Sequence, residues 1–245
     1  MISFNKEQIF IVTGASSGLG EGVALLLNEL GATVVAVARN LERLNAMRAK
    51  CKFPENMHIE IKDLAEDIEA LPQYVKDLKN KYGKFTGLAY CAGIVDIQPL
   101  QILDYSSMQK LFNIDYYAPL FLSKGFGDRR NNVGRGASIV FISSIAAIST
   151  DRGMATYAGA KAALISSAKV MARELASQGI RVNCVSPSDI ITPMIKETED
   201  TRTIETFYPL GAGQVSDVAN MVVFLLSDKA HWLSRQNYIV DCGCI

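Results

Sequence analysis

The chain has 245 residues, 49% hydrophobic and 20% charged, and its 25 basic and 25 acidic residues leave a formal net charge of +0. One α/β domain spanning 1–245 accommodates that length, and the charge balance argues against nucleic acid or a membrane surface held through bulk charge. The 5 cysteines (Cys51, Cys91, Cys184, Cys242, Cys244) show neither disulfide nor zinc spacing. No apolar run approaches the ~18 residues of a membrane span, and polar residues from Asn5 to Gln8 separate Met1 from the first apolar run, unlike a signal peptide. The expectation is a soluble, cytoplasmic protein without a metal site.

Ile9 to Val12 is a short β-branched run that feeds TGASSGLG, Thr13 to Gly20. Val23, Leu26, Leu27 and Leu30 then recur at helical spacing until Gly31 stops the helix. With a second strand, Thr33 to Ala38, this makes a βαβ unit. Glycines 14, 18 and 20 let the backbone approach a pyrophosphate whose charge rests on the helix N-terminus, so the loop reads as a dinucleotide cradle rather than a plain turn. The end of the second strand selects the dinucleotide. An acid there would bind the ribose 2′-hydroxyl of NAD, but Ala38, Arg39 and Asn40 follow, and arginine pairs with phosphate oxygens. NADP(H) is favoured over NAD(H); a surface arginine at a helix start is the alternative.

A third strand, Met57 to Ile61, leads to Asp63-Leu64, where Asp63 suits either an adenine contact or the N-cap of the following helix. Ile68 to Tyr82 is an amphipathic helix. The fourth strand, Phe85 to Tyr90, runs into Cys91-Ala92-Gly93, a small-residue exit beside which a flat cofactor can lie. One long helix is predicted around Met108 to Gly125, with Leu111, Ile114, Ala118 and Leu122 on a stripe that is buried or faces a second subunit. After a polar loop, Gly127 to Gly136, the run SIVFISS forms strand five and delivers Ser144 to its carboxyl end. Tyr157 and Lys161 stand one turn apart on the next helix, which continues as Leu164 to Ala176. A tyrosine is a poor acid at neutral pH, and a cation one turn away favours the phenolate and makes proton transfer to a substrate oxygen useful. Alone, the pair also fits a solvated helix face. Strand six, Ile180 to Val185, precedes SPSDIITPM and a polar, acidic segment, Lys196 to Tyr208, read as a flap. A last helix, Val215 to Leu226, and a short strand, Tyr238 to Val240, close the chain. This alternation implies an α/β fold, a Rossmann-type doubly wound parallel sheet of about seven strands with helices on both faces.

Over essentially its whole length the chain resembles the short-chain dehydrogenase/reductase family. The likeness rests on Thr13 to Gly20, Asp63-Leu64, Ala92-Gly93, Ser144, Tyr157 with Lys161, and Asn183, Pro187 and Thr192 in that order. It implies Tyr157 as the proton donor, Lys161 as the residue that favours its phenolate and holds the nicotinamide ribose, and Ser144 as the residue that orients a carbonyl. Thr192 would touch the nicotinamide carboxamide. Cofactor contacts are implied for Gly14, Ser16, Ser17, Gly18, Leu19, Gly20, Arg39, Asn40, Asp63, Leu64, Ala92, Gly93, Tyr157, Lys161, Pro187, Ser188, Ile190 and Thr192. The hydride would come from the cofactor, and a homodimer or homotetramer is the implied assembly.

Four departures stand out. Tyr90-Cys91 replaces the family's asparagine pair, Pro187-Ser188 replaces Pro-Gly, and Asp241-Cys242-Gly243 replaces Asp-Gly-Gly. Asp115 falls where the family has a helix asparagine whose backbone anchors a water linked to the lysine, with Asn113 nearby. It is the fourth candidate catalytic residue, and its carboxylate would shift the charge balance near Lys161. The resemblance is nearest to 3-oxoacyl-(acyl-carrier-protein) reductases, which turn a ketone into a secondary alcohol and present basic residues to an acidic carrier. Arg135 occupies one such place, but Gln178 stands at another. A sugar, polyol, steroid or secondary-metabolite ketone fits as well. Two further readings are an NAD-linked alcohol, sugar or polyol dehydrogenase, disfavoured by Ala38 and Arg39, and a non-catalytic dinucleotide-binding regulator. The latter predicts loss of Ser144, Tyr157 and Lys161, all of which are present.

Overall fold

Strands that are apolar at every position belong in a parallel sheet covered on both faces, and the chain folds accordingly. The computed structural model describes residues 1–192, 208, 210, 211 and 213–245. The sheet comprises β1 (Ile9–Thr13), β2 (Thr33–Ala38), β3 (Met57–Ile61), β4 (Phe85–Tyr90), β5 (Ser138–Ile142), β6 (Arg181–Pro187) and β7 (Asn237–Val240). They lie in the order β3-β2-β1-β4-β5-β6-β7, every pair parallel. Successive side chains point to opposite faces. Phe10 and Val12 of β1 therefore join one core with α1 (Gly18–Glu29) and α2 (Leu41–Arg48), while Ile9 and Ile11 join another with α3 (Leu71–Tyr82). Complete burial of Phe10 and Ile11 contributes about 1.5–3 kcal/mol each.

The chain runs outward from β1 to β3 and then returns to the other side of β1 at β4. Ligands of open α/β sheets bind at the carboxyl ends of the strands where the order reverses in this way. Here that point is stitched shut at its base. Thr13 and Tyr90 are register partners, and Thr13 Oγ1 accepts from the backbone N–H groups of Cys91 at 3.0 Å and Ala92 at 3.1 Å.

Two elements differ from expectation: α2 has no counterpart among the predicted elements, and the long helix is interrupted. It begins at Tyr105 and is broken into α4 (Tyr105–Phe112), a π-helical turn (Asn113–Tyr117) and α5 (Ala118–Phe126). Pro119 has no N–H, so an α-helical bond to the carbonyl four residues back, at Asp115, is impossible. The Tyr90 hydroxyl donates to the Ile114 carbonyl at 2.6 Å and ties this turn to the sheet. Leu111, Ala118 and Leu122 lie fully in the core, so the stripe serves the interior rather than another subunit. On the same side of the sheet follows α6 (Ala155–Glu174), and α7 (Val215–Leu226) covers the opposite face. The segment expected as a flap, 196–208, lies outside the described residues apart from Tyr208, whose hydroxyl donates to Asp189 at 2.6 Å. No described helix is long and apolar enough to cross a membrane.

Candidate active site

The glycine loop is held by contacts that leave no room for side chains. Gly14 has a φ of 65°, and a methyl group there would lie 2.9 Å from Ala92 Cα. At Gly20 a methyl would sit 2.3 Å from the Gly14 carbonyl oxygen and 2.8 Å from that of Thr13. The loop is thus folded tightly onto the start of α1 and onto the exit of β4. Ser17, the residue before α1, is extended and makes no side-chain capping bond. First-turn N–H groups left without a cap are the usual anion-binding feature of such a turn. Ser16, Ser17, Gly18 and Leu19 are half-buried around it.

At the end of β2, the Arg39 side chain is 71% exposed, and its Nη1 is 3.4 Å from Asp63 Oδ2. An exposed pair of this kind contributes little, so the guanidinium is available to a better anionic partner. Asn40 caps α2, its Oδ1 accepting from Arg43 N at 2.9 Å. Asp63 Oδ1 accepts from Ala65 N at 2.9 Å, and the next helical turn starts only at Ile68, behind Asp67. The N-cap reading of Asp63 is therefore corrected to a local turn two residues long. Leu64 is buried with Ile11 and Val37 and anchors that turn from below.

The structure brings Ser144, Tyr157 and Lys161 to the carboxyl ends of β4 and β5. Ser144 Oγ accepts from Ala146 N at 3.1 Å, which holds the hydroxyl beyond β5 while leaving its proton to donate. Lys161 Nζ is 5.6 Å from the centre of the Tyr157 ring, as one turn of α6 requires. The ammonium donates to the Ile142 carbonyl at 3.2 Å and to Asp115 Oδ1 at 3.4 Å. Both ends of this ion pair are interior, with the Lys161 side chain 4% and the Asp115 side chain 0% exposed. Asp115 Oδ1 also accepts from Ile94 N at 3.3 Å, whereas Oδ2 is buried without a hydrogen-bond partner among the described residues. Gly93 closes the cluster, because a methyl on it would fall 2.5 Å from Asp115 Oδ1 and 3.3 Å from Lys161 Nζ.

Electrostatics follow from that burial. Desolvation raises the Asp115 pKa above the ordinary aspartate value, and the Lys161 charge and the Ile94 N–H only partly oppose it. For Lys161, burial works against the ammonium, but Asp115, the Tyr157 phenol and Cys91 together outweigh it, and its pKa ends above the usual lysine value. Burial pushes the Cys91 thiol up to about 12 despite the nearby Lys161 charge, so it stands beside the pair as a neutral thiol. Burial also raises Tyr90 well above the usual tyrosine value, with Asp115, Asp63 and Cys91 adding to it. The sequence assigns no role to the Thr13 hydroxyl or the Ile94 N–H; that Thr13 ends β1 directly before the loop is the available signal for the first.

Beyond β6, Ser188 N donates to the Val240 carbonyl at 3.1 Å, and Ser188 is absent from the residues with left-handed torsions. Nothing in the backbone at Ser188 therefore calls for a glycine. Cys242, which replaces a family glycine, does adopt a left-handed conformation, with a φ of 59°. Ile190 is buried, and Ile191 N donates to the Gly213 carbonyl at 2.9 Å. Thr192 comes back over the glycine loop, its Cγ2 3.5 Å from where a methyl on Gly18 would be. A tight cradle at the sheet's reversal point, an uncapped helix start and an exposed, weakly paired guanidinium at the end of β2 fit a phosphate-bearing dinucleotide.

Comparison with known proteins agrees with this geometry. A family model described as enoyl-(acyl carrier protein) reductase matches residues 14–244. The 3-oxoacyl-(acyl-carrier-protein) reductase FabG of Rickettsia felis is 34% identical over 96% of this chain and 95% of its own length. D-erythrulose reductase of Gallus gallus is 30% identical over 95% of this chain and 94% of its own. Among solved structures, a short-chain dehydrogenase from Burkholderia cenocepacia in complex with NADP superposes with a TM-score of 0.90 at 27% identity, covering 98% of both chains. With the Ser144, Tyr157 and Lys161 cluster lying beside a dinucleotide cradle, the chain belongs to the short-chain dehydrogenase/reductase family of NAD(P)-dependent oxidoreductases that act on CH–OH and C=O groups.

Proposed function

We propose that this protein is a cytoplasmic, NADPH-dependent reductase that converts a ketone of a biosynthetic intermediate, such as a 3-oxoacyl group, into a secondary alcohol. The observation that carries the reading is the interior Lys161 ammonium beside the Tyr157 ring on α6, with the Ser144 hydroxyl at the end of β5. In this reading Ser144 orients the carbonyl by donating to its oxygen, Tyr157 gives that oxygen a proton, and Lys161 holds the phenol and the cofactor ribose. The bound cofactor supplies the hydride. Gly14 to Gly20 would hold its pyrophosphate, Arg39 and Asn40 its 2′-phosphate, and Asp63 and Leu64 its adenine. Ala92, Gly93, Pro187, Ser188, Ile190 and Thr192 would line the nicotinamide end. A sugar or polyol carbonyl is the second reading, supported by the likeness to the avian D-erythrulose reductase.

Two tests address the finer points. Arg39→Asp, or Ala38→Asp, is expected to shift preference from NADPH towards NADH, by removing a phosphate partner or adding repulsion. One charge-assisted contact contributes roughly 1.5–3 kcal/mol, about ten- to a hundredfold in affinity. Titration of both cofactors against wild type and variants measures this, and unchanged preference would overturn the NADPH assignment. For assembly, α5 and α6 share a groove lined by the half-buried Leu120, Phe121, Met171 and Leu175, with Val170 exposed beside Met171. A homodimer or homotetramer that covers this face is expected by light scattering at micromolar concentration. A monomer there would remove it.

A further inference from the structure

The buried ion pair is a feature of this chain's own residues. Asp115 comes from the π-helical turn and Lys161 from α6, 46 residues later, and their side chains meet behind Gly93 at the β4 exit. Two of the chain's four departures from the family pattern, Tyr90-Cys91 and Asp115, converge here. Tyr90 ties the Ile114 carbonyl to the sheet, Cys91 stands beside Lys161, and Asp115 supplies the carboxylate. Taking an ammonium out of water is costly unless a counter-charge and hydrogen bonds replace its hydration. The Ile142 carbonyl replaces one such bond; only an anion replaces the charge.

The groups that face Lys161 can be named element by element. β4 presents Tyr90 and Cys91, the first buried and held neutral, the second a thiol rather than a thiolate. β6 presents Cys184, whose thiol burial also pushes up to about 12. α6 itself contributes Tyr157, and Lys169 acts on Cys184 from the same helix. Asp63, beyond β3, acts on Tyr90 and not on the ammonium. Among the described residues Asp115 is the one carboxylate in contact with Lys161.

We propose that Asp115 is a positioning residue: its carboxylate is the counter-ion that keeps the Lys161 ammonium charged and fixed behind the Tyr157 phenol. The assignment rests on the reading of Lys161 as the cofactor and phenol partner given above. Its consequence is a working range extended to alkaline pH. An ammonium is lost as pH rises through its pKa; removing the carboxylate withdraws the attraction and leaves the burial, so the loss moves to lower pH. Asp115→Asn keeps the shape and the acceptor for Ile94 N while removing the charge. It should therefore preserve the fold and weaken NADPH binding on the alkaline side.

The test measures NADPH affinity against pH, from neutral to alkaline, by nicotinamide fluorescence in wild type, Asp115→Asn and Asp115→Glu. The Asn variant is expected to lose affinity at a lower pH than wild type, and the Glu variant to restore part of the range. Coincident profiles for wild type and Asn would overturn the assignment, since a merely structural pair changes melting temperature and not this profile. A second measurement stands apart from the cofactor. In the full-length protein carrying lysine labelled with carbon-13 at the ε position, the Lys161 resonance, assigned with Lys161→Met, is followed by NMR without NADPH. It should titrate above ordinary lysines in wild type and lower in Asp115→Asn; an ordinary titration in wild type overturns the proposal even if the Asn variant fails to fold. Failure of wild type to bind NADPH at any pH would instead remove the reductase reading, and the NMR titration would then decide the role of Asp115 alone.

Discussion

Tyr157→Phe is expected to lower turnover on a ketone substrate by about 10²–10⁴-fold while leaving NADPH bound, because it deletes the phenolic proton and keeps the ring. Tyr157 is only half-buried and its ring lies 5.6 Å from the Lys161 ammonium, so loss of the hydroxyl disturbs no core packing. The measurement is a panel of carbonyl substrates followed at the reduced-nicotinamide absorbance band, paired with a fluorescence titration of NADPH. Ser144→Ala should lower turnover with little change in NADPH affinity, since its hydroxyl is assigned to the substrate. Lys161→Ala should reduce both, because the ammonium is assigned to the ribose as well as the phenol. A Phe variant with wild-type turnover would leave only a dinucleotide binder and remove the reductase reading.

The second large effect is expected at the other end of the site. In Gly20→Ala the new methyl would meet backbone on every side, 2.3 Å from Gly14 O, 2.6 Å from Gly14 C and 2.8 Å from Thr13 O. No flexible side chain can yield, so the loop has to open, and overpacking of this kind costs about 1–3 kcal/mol. Part of that cost falls on stability and part on the cradle, so NADPH affinity is expected to drop by about ten- to a hundredfold. Gly159→Ala provides the control, as a methyl at that helix position meets nothing within 4 Å. If Gly20→Ala binds NADPH as tightly as the control, the loop is not the pyrophosphate cradle.

The sequence alone determined what depends on neighbours along the chain. Short, β-branched apolar runs such as 34–38, bounded by turn residues, read as strands buried on both faces. The glycine spacing of residues 14, 18 and 20 between a strand and a helix declares its turn, and the one-turn separation of Tyr157 and Lys161 puts them on one face of α6 whatever the rest does. Elements defined by such periodicities were legible almost to their ends. The break at Asn113–Tyr117 was less so: Pro119 marks it locally, but the hydrogen bond from Tyr90 comes from the sheet, and the helical pattern of Leu111, Ala118 and Leu122 continues across it.

Only the tertiary structure decided which distant groups touch. The family pattern put Asp115 near Lys161, yet only the structure shows that its carboxylate contacts the ammonium directly. That contact exists because the π-helical turn carries Asp115 inward and because Gly93, without a side chain, lets carboxylate and ammonium approach. Arg181 is the same case in the scaffold. As a basic residue at a strand start it reads as exposed, but it is buried, donating to the Leu225 carbonyl at 2.6 Å and the Ser227 carbonyl at 3.0 Å. There it meets the negative end of the α7 dipole, an interaction set by where α7 ends in space. Residue type and spacing are local properties and the sequence states them. A buried charge takes its meaning from its partners, and those are chosen by the order of the strands and the packing of the helices over them.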